Sequence, residues 1–423
     1  MTRLLRFDMP QTGQGRRWVV GVRVGSHCQQ VRAALVAAGG GGLEMTPALV
    51  GAMSAGVPRS ASALFAGKGQ QGKPPAIALP ALRAQLAETQ ASLIQELLAE
   101  LGVAPSRVLA VGVDDPGIWQ FQGSVPEGYT GLCDAARVAE WTGLNVIDAF
   151  PARDLAQGGQ GGPLTALPEW LLLRDAQKNR VLVELGGTIR TGYLPAATDD
   201  RAASRVVSFH AGPGMALLDQ LAERLTGGEH LFDPGGRLAV QGRRIPELLE
   251  HWLADPYFER PPPRWHPRGV RPERFLTEAL QMAVREDWSV RDLLCTATHF
   301  LAQTVARALS RRLPEDAPVD EVVVCGGGQR NGLLLHEIGR ATELPLLRAE
   351  QLGTPDEALG AAAAAVLALL CIDQVPANPT SITGAGVARV LGRLTPGSPQ
   401  QWQRLTGMIA GAELAVRPLR SAV

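Results

Sequence analysis

A glycine triplet at residues 326–328 is the clearest chemical signal in the sequence. The β-branched run Val322-Val323-Val324 precedes it, and an apolar segment from Gly332 to Ile338 follows it. This order predicts a buried strand, a turn made of backbone alone, and a helix N-terminus. Because no Cβ stands in the way, a flat or anionic ligand can lie against such a turn. A lone triplet is weak evidence, so its weight depends on the rest of the chain.

Three further glycine-centred segments precede the triplet. Gly186-Gly187-Thr188 comes after the predicted strand Arg180 to Leu185, and Gly212-Pro213-Gly214 comes before a predicted helix. The third segment, residues 158–164, follows Asp154. A carboxylate just after a strand end can act as a general base if a proton donor lies within hydrogen-bond reach. From these residues alone, a loop-capping aspartate is an equally good interpretation of Asp154.

Composition restricts the class of protein and of partner. The chain has 423 residues, 45% hydrophobic and 19% charged, which is typical of a globular protein with two or more domains. Its formal net charge is zero, so composition gives no electrostatic argument for binding nucleic acid or an acidic membrane. The five cysteines form no Cys-x-x-Cys pair, which predicts buried free thiols in a reducing compartment.

The same composition predicts a cytoplasmic location. The N-terminus carries Arg3 and Arg6 but has no apolar signal-peptide core. The longest apolar run, Ala361 to Ile372, is too short to cross a bilayer and predicts a buried helix. We therefore expect no membrane partner.

The signals for strands and helices alternate along the chain and restart near Arg180. The first part predicts a hairpin, a loop or insertion rich in Gly, Pro, Ser and Ala, and then a β–α alternation. The restart suggests two α/β lobes. The first would comprise residues 1–179 with a C-terminal return at 376–423, and the second would comprise residues 180–375. A ligand is expected in the cleft between them. The main predicted elements are strands at 18–24, 31–37, 108–113, 145–150 and 180–185, a loop at 51–80, a short helix capped by Asp134 and ending at Gly143, and helices at 215–225, 273–286 and 290–311.

Taken together and in this order, the segments resemble those of the anhydro-N-acetylmuramic acid kinase family. The resemblance covers about residues 18–396. Each segment alone is weakly specific, whereas the joint match is specific. It rests on residues 148–154 with the glycine loop at 158–164, Gly212-Pro213-Gly214 with Leu217-Leu218-Asp219, Asp255-Pro256-Tyr257-Phe258 with Pro261-Pro262-Pro263, Cys325 to Asn331, and Pro376 to Gly384 with Val390-Leu391-Gly392.

The resemblance implies a two-lobed actin-like or hexokinase-like α/β fold, the use of ATP with Mg²⁺, and a small amino-sugar substrate. In the implied reaction, the 1,6-anhydro bond opens while O6 is phosphorylated, water attacks C1, and an aspartate takes the proton of that water. Asp154 aligns with the family's catalytic aspartate. The resemblance also suggests a homodimer. The residues assigned to ATP binding are Gly25, Ser26, Gly186, Gly187, Thr188, Gly212, Gly214, Gly326, Gly327, Gly328 and Asn331.

The first phosphate loop departs from the family pattern Gly-Thr-Ser-x-Asp-Gly. Gly25 and Ser26 keep the glycine and a hydroxyl, but Gln29 and Gln30 replace the aspartate and the second glycine. A neutral amide is a poor Mg²⁺ ligand beside a triphosphate. Glu184, which precedes the second glycine loop, is the candidate metal ligand instead. The alternative is that Glu184 forms an ion pair, with Arg190 as its partner.

Two functions are therefore open at this point. The first is an ATP-dependent anhydro-N-acetylmuramic acid kinase in cell-wall sugar recycling, with altered metal ligation. The second is a catalytically impaired pseudokinase that binds a sugar or a nucleotide and has a regulatory role. The second is motivated by Gln29 and Gln30, and by Pro116 and Met215, where the family pattern has polar residues.

Overall fold

The computed structural model describes residues 3–7, 15–26, 28–59, 78–123, 125–198, 201–313 and 317–413. The chain divides into two compact units. The first comprises Met1–Leu172, Glu357–Thr380 and Ala385–Val423, and the second comprises Leu173–Asp356 and Ser381–Gly384. Each unit contains one main β-sheet with helices, so the predicted α/β class is confirmed. The lobe boundaries inferred from the sequence, at residues 179 and 376, stay a prediction.

The first unit is built on a seven-stranded mixed sheet and a separate two-stranded hairpin. Its strands are β1 Arg3–Arg6, β2 Arg17–Val24, β3 Gln30–Gly39, β4 Thr46–Gly56, β5 Val108–Asp114, β6 Ile118–Gln122, β7 Val125–Thr130, β8 Val146–Asp148 and β14 Arg393–Thr395. The spatial order in the large sheet is β1-β4-β3-β2-β5-β8-β14. The pairs β2–β5 and β5–β8 are parallel, and the other neighbours are antiparallel. The hairpin of β6 and β7 follows the end of β5.

The N-terminal hairpin confirms one prediction, and the strand that follows it corrects another. β2 and β3 pair in antiparallel register, as the two β-branched runs predicted. The prediction of a loop over residues 51–80 is wrong at the start of that range, because β4 extends to Gly56 and pairs with β3 over the whole length of β4. Gly and Ala are poor strand formers on their own, but the main-chain hydrogen bonds of β3 do not depend on side-chain type. Residues 60–77 lie outside the described part of the chain.

The alanine-rich helix Asp356–Ile372 packs closely against the first sheet. An ideal Cβ built on Gly21 of β2 would overlap the carbonyl oxygen of Ala361, and one built on Gly112 of β5 would overlap that of Ala364. Glycines in the sheet and alanines in the helix therefore allow a close backbone approach that larger side chains would prevent. The helix is buried along almost its whole length, as the sequence predicted.

The second unit contains a five-stranded sheet with the spatial order β11-β10-β9-β12-β13. Its first three strands are antiparallel and the last two pairings are parallel, which repeats the arrangement of β4-β3-β2-β5-β8 in the first unit. Its core includes an aromatic cluster in which Trp252 and Phe300 have ring centroids 5.0 Å apart. The strands are β9 Arg180–Leu185, β10 Thr188–Leu194, β11 Val207–Pro213, β12 Glu321–Cys325 and β13 Leu346–Arg348.

The helices agree with the sequence signals where capping or spacing was clear. Asp134 accepts a hydrogen bond from the Arg137 N–H and begins a helix that ends at the left-handed Gly143. The C-terminal helix Pro399–Glu413 was not predicted. In the described residues, no helix is long and apolar enough to cross a membrane. The α-helices are Leu79–Glu100, Ala135–Thr142, Pro151–Leu155, Ala166–Leu173, Ala202–Arg205, Met215–Leu225, Pro246–Leu253, Glu273–Glu286, Val290–Arg312, Gly332–Thr342, Asp356–Ile372, Thr380–Thr383 and Pro399–Glu413.

Candidate active site and nucleotide-binding loops

Asp154 lies in the short helix Pro151–Leu155, which follows β8 in the first unit. Its side chain is fully buried. One carboxylate oxygen, Oδ2, accepts a hydrogen bond of 2.7 Å from the N–H of Gly161. The other, Oδ1, accepts a hydrogen bond of 2.7 Å from Nδ2 of Asn378. The carboxylate is therefore held in one orientation by two donors from different segments.

The glycine loop after Asp154 is shaped around this carboxylate. An ideal Cβ on Gly159 would overlap Oδ2 of Asp154, and Gly161 has a positive φ of +80°. Residues with a side chain would therefore displace the carboxylate or strain the loop. The hydrogen bond from Gly161 to Asp154 is of the kind that the loop-capping interpretation predicted.

Asn378 is a site residue that sequence reasoning missed. It is fully buried, and its Oδ1 accepts a hydrogen bond of 2.5 Å from the N–H of Arg389. It therefore connects the C-terminal segment to Asp154 from 224 positions away in the chain. The only signal was its place in the segment Pro376 to Gly384, which carries no local hint of a carboxylate partner.

The first predicted phosphate loop is closed by its own backbone. The N–H of Gly25 donates to the carbonyl of Gln30 at 2.9 Å, and the N–H of Cys28 donates to the carbonyl of Gly25 at 2.8 Å. Cys28 has a positive φ of 51° and is buried. These two N–H groups are used within the hairpin. Ser26 lies in the same turn, and His27 lies outside the described residues.

The second and third glycine loops meet within the second unit. The N–H of Gly214 donates to the carbonyl of Gly187 at 3.0 Å, and the N–H of Met215 donates to the carbonyl of Gly186 at 2.8 Å. The helix Met215–Leu225 therefore begins directly beside the β9–β10 turn. Thr188, which was assigned to ATP binding, accepts at its Oγ1 a hydrogen bond of 2.8 Å from the N–H of Val270. That bond fixes the hydroxyl and leaves its proton for one further acceptor.

Glu184 forms the ion pair that was the alternative to a metal role. Its Oε2 lies 2.8 Å from Nε of Arg190, its partner across β9 and β10. Arg190 also donates to Oγ of Ser208 at 3.1 Å and pairs in register with His210 on β11. Within the described parts of the chain, no group of three or more His, Cys, Asp or Glu side chains is placed to hold a metal ion. These residues do not fit a metal held by protein ligands alone.

His210 completes this row of side chains across three strands. It is 8% exposed, and its Nδ1 has no hydrogen-bond partner among the described residues. Burial lowers its pKa to about 3, and the positive charge of Arg190 adds to that effect. The imidazole is therefore neutral near neutral pH.

Acidification is expected to destabilise the second unit through His210. The unfolded chain takes up a proton near the ordinary pKa of 6.5, whereas the folded chain does so only near 3. The free energy of unfolding should therefore fall as the pH drops through 6.5, by about 2 kcal/mol between about pH 7.5 and about pH 5. Urea unfolding at both pH values measures this loss, and His210→Gln should remove it. His336→Gln, at a side chain 71% exposed, is the control. A pH dependence unchanged in His210→Gln would contradict the prediction.

The glycine triplet adopts the predicted strand, turn and helix. β12 ends at Cys325, Gly326 has a positive φ of +87°, and its N–H donates to Oδ1 of Asp356 at 2.5 Å. An ideal Cβ on Gly326 or Gly328 would lie 2.7 Å from atoms of Leu185. Gly327 is different, because no atom in the described part of the chain lies within 4 Å of its ideal Cβ position. Of the three glycines in this turn, Gly327 is therefore the one that borders open space among the described residues.

Asn331 begins the helix after this turn. Its Oδ1 accepts a hydrogen bond of 3.0 Å from the N–H of Leu334. Its Nδ2 is buried and has no hydrogen-bond partner among the described residues. A buried amide without a partner is costly, so such a group often marks a place for a ligand. The sequence signal, an asparagine between a glycine turn and an apolar helix, is also the signal of an ordinary N-cap.

The predicted residues fall into two groups, one in each unit. In the first unit, Asp154 and its glycine loop are joined by Asn378, whereas Gly25 and Ser26 belong to the β2–β3 turn. In the second unit, the Gly186 and Gly212 loops are hydrogen bonded to each other. Gly328 lies near the same turn, because its ideal Cβ would be 2.8 Å from Sδ of Met215.

Comparison with known proteins identifies similar sequences over most of the chain. Residues 17–397 match the family described as anhydro-N-acetylmuramic acid kinase. An anhydro-N-acetylmuramic acid kinase from Gloeobacter violaceus is 34% identical over 339 residues, which cover 77% of this chain and 85% of the relative. One from Nitrosospira multiformis is 35% identical, covering 74% of this chain and 81% of the relative.

Solved structures are more distant. A ROK family glucokinase from Streptomyces griseus, solved with glucose and AMPPNP, aligns with a TM-score of 0.38 and 14% identity. The alignment covers 83% of this chain and 98% of that chain. The family match is the stronger finding, because it extends over nearly all described residues.

Proposed function

The chain belongs to the anhydro-N-acetylmuramic acid kinase family, and we infer its function from that membership. It is a sugar kinase that uses ATP to phosphorylate a cell-wall amino sugar, with hydrolytic opening of the 1,6-anhydro ring. The match over residues 17–397 carries this conclusion. The family match also agrees with the sequence-based prediction of an α/β sugar-kinase fold.

We propose that Asp154 is the general base of this reaction. Water adds to C1 of the sugar, the C1–O6 bond breaks, and O6 takes the γ-phosphoryl group of ATP, so that ADP leaves. Asp154 takes the proton that the water loses. The proposal is supported by the fixed orientation of the carboxylate, because a base that is held in place loses no rotational freedom when the substrate binds.

We propose that the turn at Gly326 to Gly328 contacts the nucleoside part of ATP and that Asn331 donates to it. Two features support this assignment: the open space beside Gly327 and the buried Nδ2 of Asn331 without a partner. The linked loops at Gly186 and Gly212 remain the proposed phosphate-side residues, together with Thr188. Gly25 and Ser26, in the first loop, remain proposed contacts of ATP. The contact would come from the Ser26 hydroxyl, because the Gly25 N–H already donates to the carbonyl of Gln30.

Mg²⁺ as a cofactor, and Glu184 as its ligand, remain predictions. Glu184 is neutralised by Arg190, so a metal at that carboxylate would first have to displace the guanidinium. We therefore assign no step of the reaction to a metal held by the protein. A homodimer and a cytoplasmic location are likewise predictions.

The pseudokinase alternative gains no support from the comparisons, since the curated relatives reported above are named as kinases. Turnover decides the matter directly. Purified protein with ATP, MgCl₂ and the anhydro-sugar should release ADP and form a 6-phosphosugar, detected by a coupled assay and by ³¹P NMR. ATP or sugar binding by calorimetry without product in either assay would restore the pseudokinase.

Gly327→Ala is expected to weaken ATP binding while leaving the fold intact. The added methyl group meets no atom of the described residues within 4 Å, so it would instead enter the space proposed for the ligand. We expect at least about a tenfold rise in Kd, which corresponds to about 1.4 kcal/mol. Isothermal titration calorimetry with ATP measures the change. Gly407→Ala, also in open space, is the control. An unchanged Kd in Gly327→Ala would place the nucleotide elsewhere.

A further inference from the structure

The β6–β7 hairpin of the first unit is clamped at its base by Asp115. This side chain is 6% exposed, and its carboxylate accepts hydrogen bonds from three backbone N–H groups and one hydroxyl. The donors lie on both sides of the hairpin, so their common acceptor fixes the two strands against the end of β5. They are the N–H groups of Gly117 at 2.8 Å, Leu132 at 2.9 Å and Cys133 at 3.0 Å, and the Tyr129 hydroxyl at 3.2 Å.

The clamped hairpin fixes the indole of Trp119. Its Nε1 donates to the carbonyl of Pro116 at 2.7 Å, which sets the direction of the ring. Its cross-strand partner Tyr129 packs edge-on against it, with ring centroids 5.0 Å apart. Two independent contacts therefore hold one ring position, which limits rotation about χ1 and χ2.

The benzene edge of this indole lies against Gly161. An ideal Cβ on Gly161 would be 2.6 Å from Cη2 of Trp119 and 2.7 Å from Cζ3. Gly161 is the residue whose N–H donates to Oδ2 of Asp154. Glycine adopts positive and negative φ about equally readily, so Gly161 has no intrinsic preference for the positive φ that it has here. The indole of Trp119 therefore restricts the position of Gly161, whose backbone N–H orients the Asp154 carboxylate.

We infer that Trp119 is a positioning residue for Asp154 and acts through Gly161. This inference rests on the proposed role of Asp154 as the base. In the intact protein, Asp115 fixes the hairpin, Trp119 confines Gly161, and Gly161 holds the carboxylate at the angle needed to accept a proton from water. Without the indole, the loop at 158–164 samples other conformations and the carboxylate is correctly oriented for a smaller fraction of the time.

Trp119→Ala is the direct test. We expect kcat to fall by about 10-fold to 100-fold, because misplacement of a reacting group affects the chemical step. KM for the sugar should stay within about threefold, since the substrate contacts are not removed. Trp119→Phe keeps an aromatic edge near Gly161 and should recover most of kcat. Glu127→Ala, at an exposed position of the same hairpin, is the control and should match wild type.

Amide hydrogen exchange adds a readout that does not depend on activity. In Trp119→Ala, a peptide covering residues 156–164 should exchange faster than in wild type, whereas Trp119→Phe should stay protected. A rise in KM with kcat unchanged would overturn the inference in favour of direct sugar binding by Trp119. Unchanged exchange at residues 156–164 would overturn it as well. If Asp154→Asn retains turnover, the proposed base is wrong, and the exchange result still shows whether Trp119 orders the loop.

Discussion

Asp154→Asn is expected to lower kcat for sugar phosphorylation by about 10²-fold to 10⁴-fold, the usual range for loss of a general base. The amide is isosteric with the carboxylate but cannot take the proton of the attacking water. The substitution also disturbs the site, because Oδ1 and Oδ2 both accept hydrogen bonds in the native protein. One of them becomes an NH₂ group that faces a donor, which costs about 1–3 kcal/mol. A single variant therefore mixes catalysis with stability.

The pair Asp154→Asn with Asn378→Asp separates the two effects. In this exchanged pair, the new amide at 154 can donate to the new carboxylate at 378 and still accept from the N–H of Gly161. The carboxylate at 378 can also accept from the N–H of Arg389, as the asparagine oxygen does now. We expect the melting temperature to return towards that of wild type while kcat stays low. Coupled ADP-release assays and thermal unfolding measure the two quantities. Recovery of kcat in the exchanged pair would mean that the position of the carboxylate is unimportant, and Asp154 would lose its role as base.

Gly112→Val is expected to have the largest effect on stability. Gly112 lies on β5 beneath the helix Asp356–Ile372, where an added Cβ would overlap the carbonyl oxygen of Ala364 and lie 2.8 Å from Cβ of Ala368. Neither neighbour can rotate away, because one is backbone and the other is the first atom of its side chain. Overpacking of this kind costs about 3 kcal/mol or more. Urea denaturation should show the loss, and expression at growth temperature should yield less folded protein.

Gly56→Val provides the matched control for this prediction. Gly56 ends β4 of the same sheet, and no atom of the described residues lies within 4 Å of its ideal Cβ. The same change of residue type there adds a β-branched side chain in open space, so stability should change by less than about 0.5 kcal/mol. Equal losses in the two variants would show that β-branching, rather than contact with the helix, is responsible.

Local signals predicted the secondary structure well where neighbours along the chain decide it. The β2–β3 hairpin, the aspartate-capped helix Ala135–Thr142, and the turn after β12 were all predicted from nearby residue types. In each case a short segment contains both the apolar run and the residue that ends it. β4 was missed because its Gly and Ala residues favour no strand by themselves, and its pairing with β3 supplies the stabilisation.

The candidate site was predicted less completely. Asp154 and the glycine loops were found because a carboxylate or a glycine run is visible in the sequence. Asn378 and Asp115 were not assigned as partners, because an asparagine in a loop and an aspartate at a strand end are common in any protein. Their importance comes from buried hydrogen bonds to groups far away in the chain.

The sequence by itself determined the family, the order of the glycine loops and the position of the candidate base. These follow from residue types at fixed spacing, which a linear chain displays fully. The tertiary structure decided that Glu184 is paired with Arg190, that Asn378 holds Asp154, and that Trp119 lies on Gly161. Such contacts depend on which segments meet after folding, and a hydrogen bond or an ion pair has strength only over a few ångströms. The partners of each candidate residue therefore depend on distances in the folded protein, and spacing along the chain does not give those distances.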